Sequence, residues 1–126
     1  MFLLIDNSKD DRLSLVIKAG DINLAGDAPT DDLVGLLENI DKFFKKNRLK
    51  INELEGIAVV VGQGRFTLTR IAVTVANTLA YALHIPVAGV MSASEDWVQK
   101  LSVQPVGQYI SAKYSAEPNI GKPKKK

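Results

Sequence analysis

Five consecutive apolar residues in the middle of the chain constrain its fold more than any other feature. The run Ile57-Ala58-Val59-Val60-Val61 offers no polar side chain to either face of a strand. Such a run is typical of a strand with helices on both sides, because a strand that faces solvent alternates apolar and polar residues. The sequence therefore predicts a sheet of α/β type with this strand buried inside it.

The residues before this run predict three strands and a helix. The strands are expected over Phe2–Ile5, Leu13–Lys18 and Ile22–Asp27. The second and third should form an antiparallel hairpin, since only a short turn joins them. An amphipathic helix follows, with an N-cap at Thr30, Asp31 and Asp32 in its first turn, and an end near Asn47.

The residues after the run predict a helix, a strand and a shorter helix. Thr67–Leu83 contains neither Gly nor Pro and has apolar residues at helical spacing, and Thr67 is the candidate N-cap. Val87–Val90 is short and apolar, which is typical of a buried strand. Ser92 or Ser94 is the candidate cap of the last helix.

The chain is expected to divide into one lobe and two short segments. Residues 1–103 form the lobe, and residues 104–117 form an extension with a candidate edge strand over Val106–Tyr114. Residues 118–126 are expected to be a disordered tail, because they carry too few apolar side chains to pack.

The positive charge of the chain is concentrated in that tail. Four of the 16 Lys and Arg residues are Lys122, Lys124, Lys125 and Lys126, and without them the count is 12 against 14 Asp and Glu. A short run of like charge at a chain end is commonly just solvated, although it can also touch RNA.

Composition excludes several classes of catalytic site. The chain has no cysteine and one histidine, His84, which rules out thiol nucleophiles and the cysteine-rich or multi-histidine metal sites. His84 stands at a predicted helix end, where it suits the helix dipole, and we interpret it as structural. No apolar stretch is long enough for a membrane span, and Asp6 ends the first one, so a cytoplasmic protein without a signal peptide is expected.

Two short polar motifs are candidates for chemistry, and each also has a purely structural interpretation. The Asp6-Asn7-Ser8 motif ends the first strand, where a carboxylate can hold Mg²⁺ or approach a phosphate, or can simply form a turn. Gly62 and Gly64 precede the second helix, where they can let the backbone approach an anion, or can merely adopt positive φ. Neither motif is a P-loop, and phosphate or nucleotide binding by these residues stays an alternative.

Two stretches of the chain resemble the TsaB (YeaZ) family of tRNA threonylcarbamoyladenosine biosynthesis proteins. The opening Met1–Ser8 is similar to the family's I-D-T-S opening. Residues 57–71 and 83–90 are similar to the family's I-A-V-x-x-G-P-G-S-F-T-G-x-R-I-G and L-x-I-P-V-x-G-V, with the spacing kept. The positions that match the family motifs are Asp6, Ser8, Gly62, Gly64, Phe66, Thr67 and Arg70.

The chain also departs from the family pattern. Asn7 replaces the Thr of the opening, Gln63 replaces Pro, Arg65 replaces Ser, and Thr69 stands where a small residue is more usual. The family has a second lobe, of which only a small part would fit here, so the chain resembles an isolated N-terminal lobe with a short extension.

The resemblance implies a ribonuclease-H-like lobe of the actin/Hsp70-type ATPase superfamily, with a mixed five-stranded sheet in the order 3-2-1-4-5. It implies a non-catalytic scaffold subunit for tRNA N6-threonylcarbamoyladenosine modification, which pairs with a TsaD-like catalytic subunit and works with a TsaE-like ATPase. A homodimer is implied when the chain is alone. No cofactor or metal is expected on this chain, since the partner complex uses the ATP and the metal. Contact with tRNA is expected through the complex, or weakly through Lys122–Lys126.

The two long helices carry residues off their core stripes, and these predict the partner interface. A monomer has little reason to expose such residues together, whereas an interface has. Small residues let two helices approach closely, and a tyrosine supplies an anchor with a polar tip. The predicted interface residues are Val34, Arg70, Val73, Asn77, Ala80 and Tyr81.

Overall fold

Five strands form one mixed sheet in the computed structural model, which describes residues 1–8, 13–28, 32–61 and 66–111. The strands are β1 (Phe2–Asp6), β2 (Leu13–Ala19), β3 (Ile22–Ala28), β4 (Gly56–Val60) and β5 (Val87–Val90). Their order is β3-β2-β1-β4-β5. The first three are antiparallel neighbours, while β4 runs parallel to both β1 and β5. The predicted fold class, strand order and hairpin are confirmed.

In the described residues, three α-helices pack on this sheet: α1 (Leu33–Lys46), α2 (Phe66–Leu83) and α3 (Trp97–Ser102). A 3-10 turn at Ile51–Glu53 leads into β4. Within the described ranges, no helix has both the length and the apolar character needed to cross a membrane.

The helix starts differ from the predicted ones. Asp32 caps α1, because its carboxylate accepts a 2.6 Å hydrogen bond from the amide of Gly35. Because Asp32 is the cap, the predicted cap at Thr30 is wrong; an aspartate caps a helix as well as a threonine does. Thr30 itself lies outside the described residues. Thr67 is not a cap either, since α2 already begins at Phe66 and includes it.

The start of α3 is also displaced from its predicted position. Asp96 caps this helix by accepting a 3.1 Å hydrogen bond from the amide of Gln99. The hydroxyls of Ser92 and Ser94 are 2.6 Å apart and bond to each other, so neither serine is the cap.

The two faces of β4 belong to different cores, as its uninterrupted apolar run predicts. Ile57 and Val59 are fully buried in the larger core, beneath α1 and α2. Ala58 and Val60 are fully buried in a smaller core on the opposite face, together with Trp97 of α3. Both helical layers are therefore anchored on this one strand.

His84 directly follows the last residue of α2, in the position at a helix end that the sequence predicts. It has a left-handed φ of 56°. The amide of Ile85 then donates a 3.1 Å hydrogen bond to the carbonyl of Ala80. This closure satisfies a carbonyl of the last helical turn and turns the chain towards β5.

Candidate functional site

The outer face of α2 carries a stripe of exposed side chains along the whole helix. They recur every three or four residues and therefore share one side of the helix. The stripe consists of Thr67, Arg70, Thr74, Thr78 and Tyr81. Its threonine side chains are small, and Tyr81 is 69% exposed near the end of α2.

The N-terminal half of α1 is apolar and exposed. Leu33, Val34 and Leu37 are all exposed, Val34 the most at 63%, and no charged residue lies between Leu33 and Leu37. A depression of about 270 Å³ is lined by Leu33 and by the start of α2, including Arg70 and Thr74. We call Leu33, Val34 and Leu37 together with the α2 stripe the outer helix surface.

Residues 107–111, which we call the strap, lie against the C-terminal half of α2. The Asn77 side chain donates a 2.8 Å hydrogen bond to the carbonyl of Ile110 and accepts a 3.1 Å hydrogen bond from the amide of Ile110. It thus satisfies both backbone groups, as a neighbouring strand would. Ile110 packs against the larger core, and the rings of Tyr81 and Tyr109 lie 6.5 Å apart.

The strap corrects the prediction of an edge strand over Val106–Tyr114. The described part of that segment, through Ser111, contains no strand. Its hydrogen bonds go to a helix side chain instead of a sheet edge, because Ile110 reaches the larger core next to α2. The strap also borders a depression of about 310 Å³ that Thr78 and Tyr81 help to line.

The structure separates the predicted interface residues into two groups. Val34, Arg70 and Tyr81 lie on the outer helix surface, and half-buried Asn77 holds the strap beside it. Val73 and Ala80 are only 6% and 1% exposed and belong to the larger core, so the prediction that they lie off the core stripe is wrong.

The reason is the number of elements that surround α2. It packs against α1, β4 and β5, and Ile110 of the strap also contacts the larger core. A helix with several buried sides needs a wider apolar arc than a single stripe. Leu33, Leu37 and Tyr109 are surface residues that the sequence pattern does not predict. In the sequence, the apolar pair Tyr109-Ile110 within a polar stretch indicates that the strap packs against the protein.

Asp6 and Ser8 form a turn at the end of β1. The amide and the hydroxyl of Ser8 donate hydrogen bonds of 2.9 and 2.6 Å to the same carboxylate oxygen of Asp6. This geometry confirms the turn interpretation of the motif. Gly62 and Gly64, the other part of the alternative phosphate site, lie outside the described residues, as does their expected positive φ.

Asn7, a departure from the family pattern, meets Thr69 in the interior; by the spacing of the motif, position 69 is variable and the small residue falls at Leu68. Asn7 and Thr69 are 0% and 1% exposed, and the Asn7 amide nitrogen donates a hydrogen bond to the Thr69 hydroxyl. The bond joins the end of β1 to the first turn of α2 across 62 residues of sequence. Their side chains fill the space between these two elements.

We expect Asn77→Asp to release the strap. The aspartate keeps the acceptor for the Ile110 amide but loses the donor, and its charge repels the Ile110 carbonyl. Losing one such hydrogen bond costs about 1 kcal/mol, so the Ile110 amide should exchange with solvent at least ~5-fold faster. Amide hydrogen exchange measures this, with Thr78→Val as the control on the neighbouring position. Unchanged exchange at Ile110 would show that Asn77 does not hold the strap.

Comparisons with known proteins point to one family. The family model described as "TsaD: tRNA N6-adenosine threonylcarbamoyltransferase" matches residues 32–116. A curated relative, the tRNA threonylcarbamoyladenosine biosynthesis protein TsaB of Buchnera aphidicola subsp. Baizongia pistaciae (strain Bp), is 32% identical over 74 residues. The match covers 59% of this chain and 34% of that relative.

Solved structures agree with this result. YeaZ from Pseudomonas aeruginosa matches with a TM-score of 0.62 and 27% identity, over 71% of this chain and 42% of that chain. A second structure, of an uncharacterized protein with similarity to the peptidase YeaZ from Pseudomonas aeruginosa, gives the same values. The chain thus spans about a third of the curated relative and about two fifths of the solved structures.

Proposed function

The chain belongs to the TsaD family, within which it is of the TsaB (YeaZ) type, and from this premise we propose that it is a non-catalytic, cytoplasmic subunit for the synthesis of threonylcarbamoyladenosine in tRNA. Its role in this proposal is to dock onto a related lobe of a TsaD-like catalytic subunit. In the absence of that subunit, two copies of the chain pair through the same surface. A TsaE-like ATPase completes the complex.

The observation that carries this proposal is the outer helix surface. Val34 and Tyr81, both more than 60% exposed, lie on the two long helices of the same sheet face. The small threonines of the α2 stripe allow a partner helix to approach closely, and the apolar end of α1 supplies area to bury. Tyr81 provides an aromatic anchor. Arg70 lines the depression between the helices, which lies within the proposed docking surface.

The non-catalytic part of the proposal is supported by the structural contacts of the residues that could otherwise act in catalysis. His84 is used to end α2, and Asp6 accepts two hydrogen bonds from Ser8. The buried Asn7 and Thr69 side chains bond to each other, next to Asp6 at the end of β1. These contacts give less support to the alternative of a nucleotide-binding lobe. In the proposed complex, ATP and metal act on the partner subunits.

Docking is tested by placing the same charge on two exposed valines. Val34→Asp introduces a carboxylate into the outer helix surface, whereas Val103→Asp places one after α3, on the opposite face of the sheet. The two valines are 63% and 71% exposed, so each variant should fold. We expect Val34→Asp to weaken both self-association and binding of a TsaD-like subunit at least tenfold, since an unpaired charge in an interface costs about 2 kcal/mol or more.

Sedimentation equilibrium of each variant, alone and mixed with the TsaD-like subunit, measures these affinities. Val103→Asp should match the wild type in both mixtures. If the wild type stays monomeric and does not bind the subunit, or if both variants lose affinity equally, docking through the outer helix surface is contradicted.

A further inference from the structure

A dense patch of positive charge covers the end of α1 and the segment after it, and the docking proposal does not use it. Residues 42–50 contain five cations and no Asp or Glu. We call these side chains, all of them exposed, the basic patch: Lys42, Lys45, Lys46, Arg48 and Lys50.

The patch stands out from an otherwise acidic chain. Apart from the four lysines of the tail, the sequence has 12 Lys and Arg against 14 Asp and Glu. Five of those 12 lie in the basic patch, so the residues outside the patch and the tail carry seven cations against 14 acids. A polyanion is therefore attracted to the patch and repelled by much of the remaining surface, which gives it one preferred orientation.

The charge of the patch is largely uncompensated. Within the described part of the chain, Lys45 is the one patch residue with an ion pair, at 2.9 Å from Asp41. The dipole of α1 favours Lys45 and Lys46 in its last turn, but this effect does not explain Arg48 and Lys50, which follow the helix. Helix stability alone thus accounts for only part of the cluster.

The local backbone places two of the patch residues, Lys45 and Lys50, at the rim of one depression. Arg48 has a left-handed φ of 59°, and the Leu49 amide donates a 2.8 Å hydrogen bond back to the carbonyl of Phe44. The chain therefore turns back at the end of α1. A depression of about 430 Å³ results, lined by Asp41 and Lys45 on the helix side and by Lys50 and Asn52 on the other side.

We propose that the basic patch binds the phosphate backbone of tRNA while the outer helix surface holds the partner subunit. This inference rests on the proposed function, in which tRNA is the polyanion that the complex acts on. Val34 and Lys46 lie twelve residues apart on α1, or about 18 Å along its axis, so both surfaces are accessible at once. An RNA fits better than a membrane, because Phe44 is buried and Phe43 and Leu49 are half-buried, which leaves no large apolar side chain of the patch to insert.

Two variants that each remove four charges test the proposal. The patch variant combines Lys42→Gln, Lys46→Gln, Arg48→Gln and Lys50→Gln. The tail variant combines Lys122→Gln, Lys124→Gln, Lys125→Gln and Lys126→Gln, and so matches its change in net charge. Binding of an unmodified tRNA transcript is measured by fluorescence anisotropy at several salt concentrations, with far-UV circular dichroism as the folding control.

The patch variant should bind tRNA at least ~10-fold more weakly at about 0.1 M salt, and the slope of log affinity against log salt should fall by about three, since each phosphate contact contributes about 0.7–0.9. The tail variant should lose less than ~3-fold. Replacing Lys42, Lys46 and Lys50, the three lysines changed in the patch variant, by arginine should preserve binding, because the charge is kept. Equal losses in the two four-site variants, or no binding by the wild type, would overturn the proposal, as would patch-dependent binding to vesicles of anionic lipid with none to tRNA.

The result is separable from that of the docking experiment. The tRNA measurement uses the chain alone, and the patch variant should bind the TsaD-like subunit with wild-type affinity. Patch-dependent tRNA binding without docking would contradict the proposed scaffold role and leave the RNA site standing. Docking without patch-dependent tRNA binding would contradict the RNA site and leave the proposed scaffold role standing.

Discussion

Val60→Asp is expected to abolish folding. Val60 is 0% exposed on the interior strand β4 and packs in the smaller core with Trp97 and Leu101. An unpaired carboxylate buried there costs several kcal/mol, which is a large part of the ~5–15 kcal/mol by which a domain is stable. The near-UV circular dichroism of Trp97 and the cooperative thermal transition should both be lost.

Val103→Asp, the same substitution at a 71% exposed site, is the control and should keep both signals. A Val60→Asp variant that melts cooperatively within a few degrees of the wild type would contradict the assignment of β4 as an interior strand that is buried on both faces.

Ala80→Glu is expected to destabilise the fold by about 3 kcal/mol or more, because it buries an unpaired charge. Ala80 is 1% exposed in the larger core, whereas Ala82, two residues further along α2, is exposed. Ala82→Glu should therefore cost less than about 1 kcal/mol, mostly through the unfavourable helix dipole. Urea denaturation followed by far-UV circular dichroism measures the free energy of unfolding of both variants.

The same pair decides between two interpretations of Ala80. Burial requires that Ala80→Glu lower the free energy of unfolding, whereas an interface position would leave the fold intact and abolish only association. Equal stability of the two variants, with association lost in Ala80→Glu alone, would restore the sequence-based prediction.

The sequence predicted the features that depend on local pattern. The apolar run of β4 and the alternation of Leu13, Leu15 and Ile17 each report which faces are buried, and all three β2 residues are fully buried. Helix starts were less predictable, since Asp32 and Asp96 compete with nearby Thr30, Ser92 and Ser94 for the same role.

The outer helix surface was predicted only in part, because it depends on contacts between distant residues. Ile110 reaches Asn77 across 33 residues, and no period in the α2 sequence records that contact. Without it, Val73 and Ala80 looked like surplus apolar residues. Val34 and Tyr81, whose exposure follows from their helix alone, were placed correctly.

The buried bond between Asn7 and Thr69 makes these two positions epistatic. A change of Asn7 to the family's threonine shortens the side chain and removes the amide that the Thr69 hydroxyl accepts from. A change of Thr69 to a small residue takes away the acceptor and leaves a void beside a fully buried amide. Either single change is costly in this background, so a lineage that carries the pair is expected to gain or lose both substitutions in close succession.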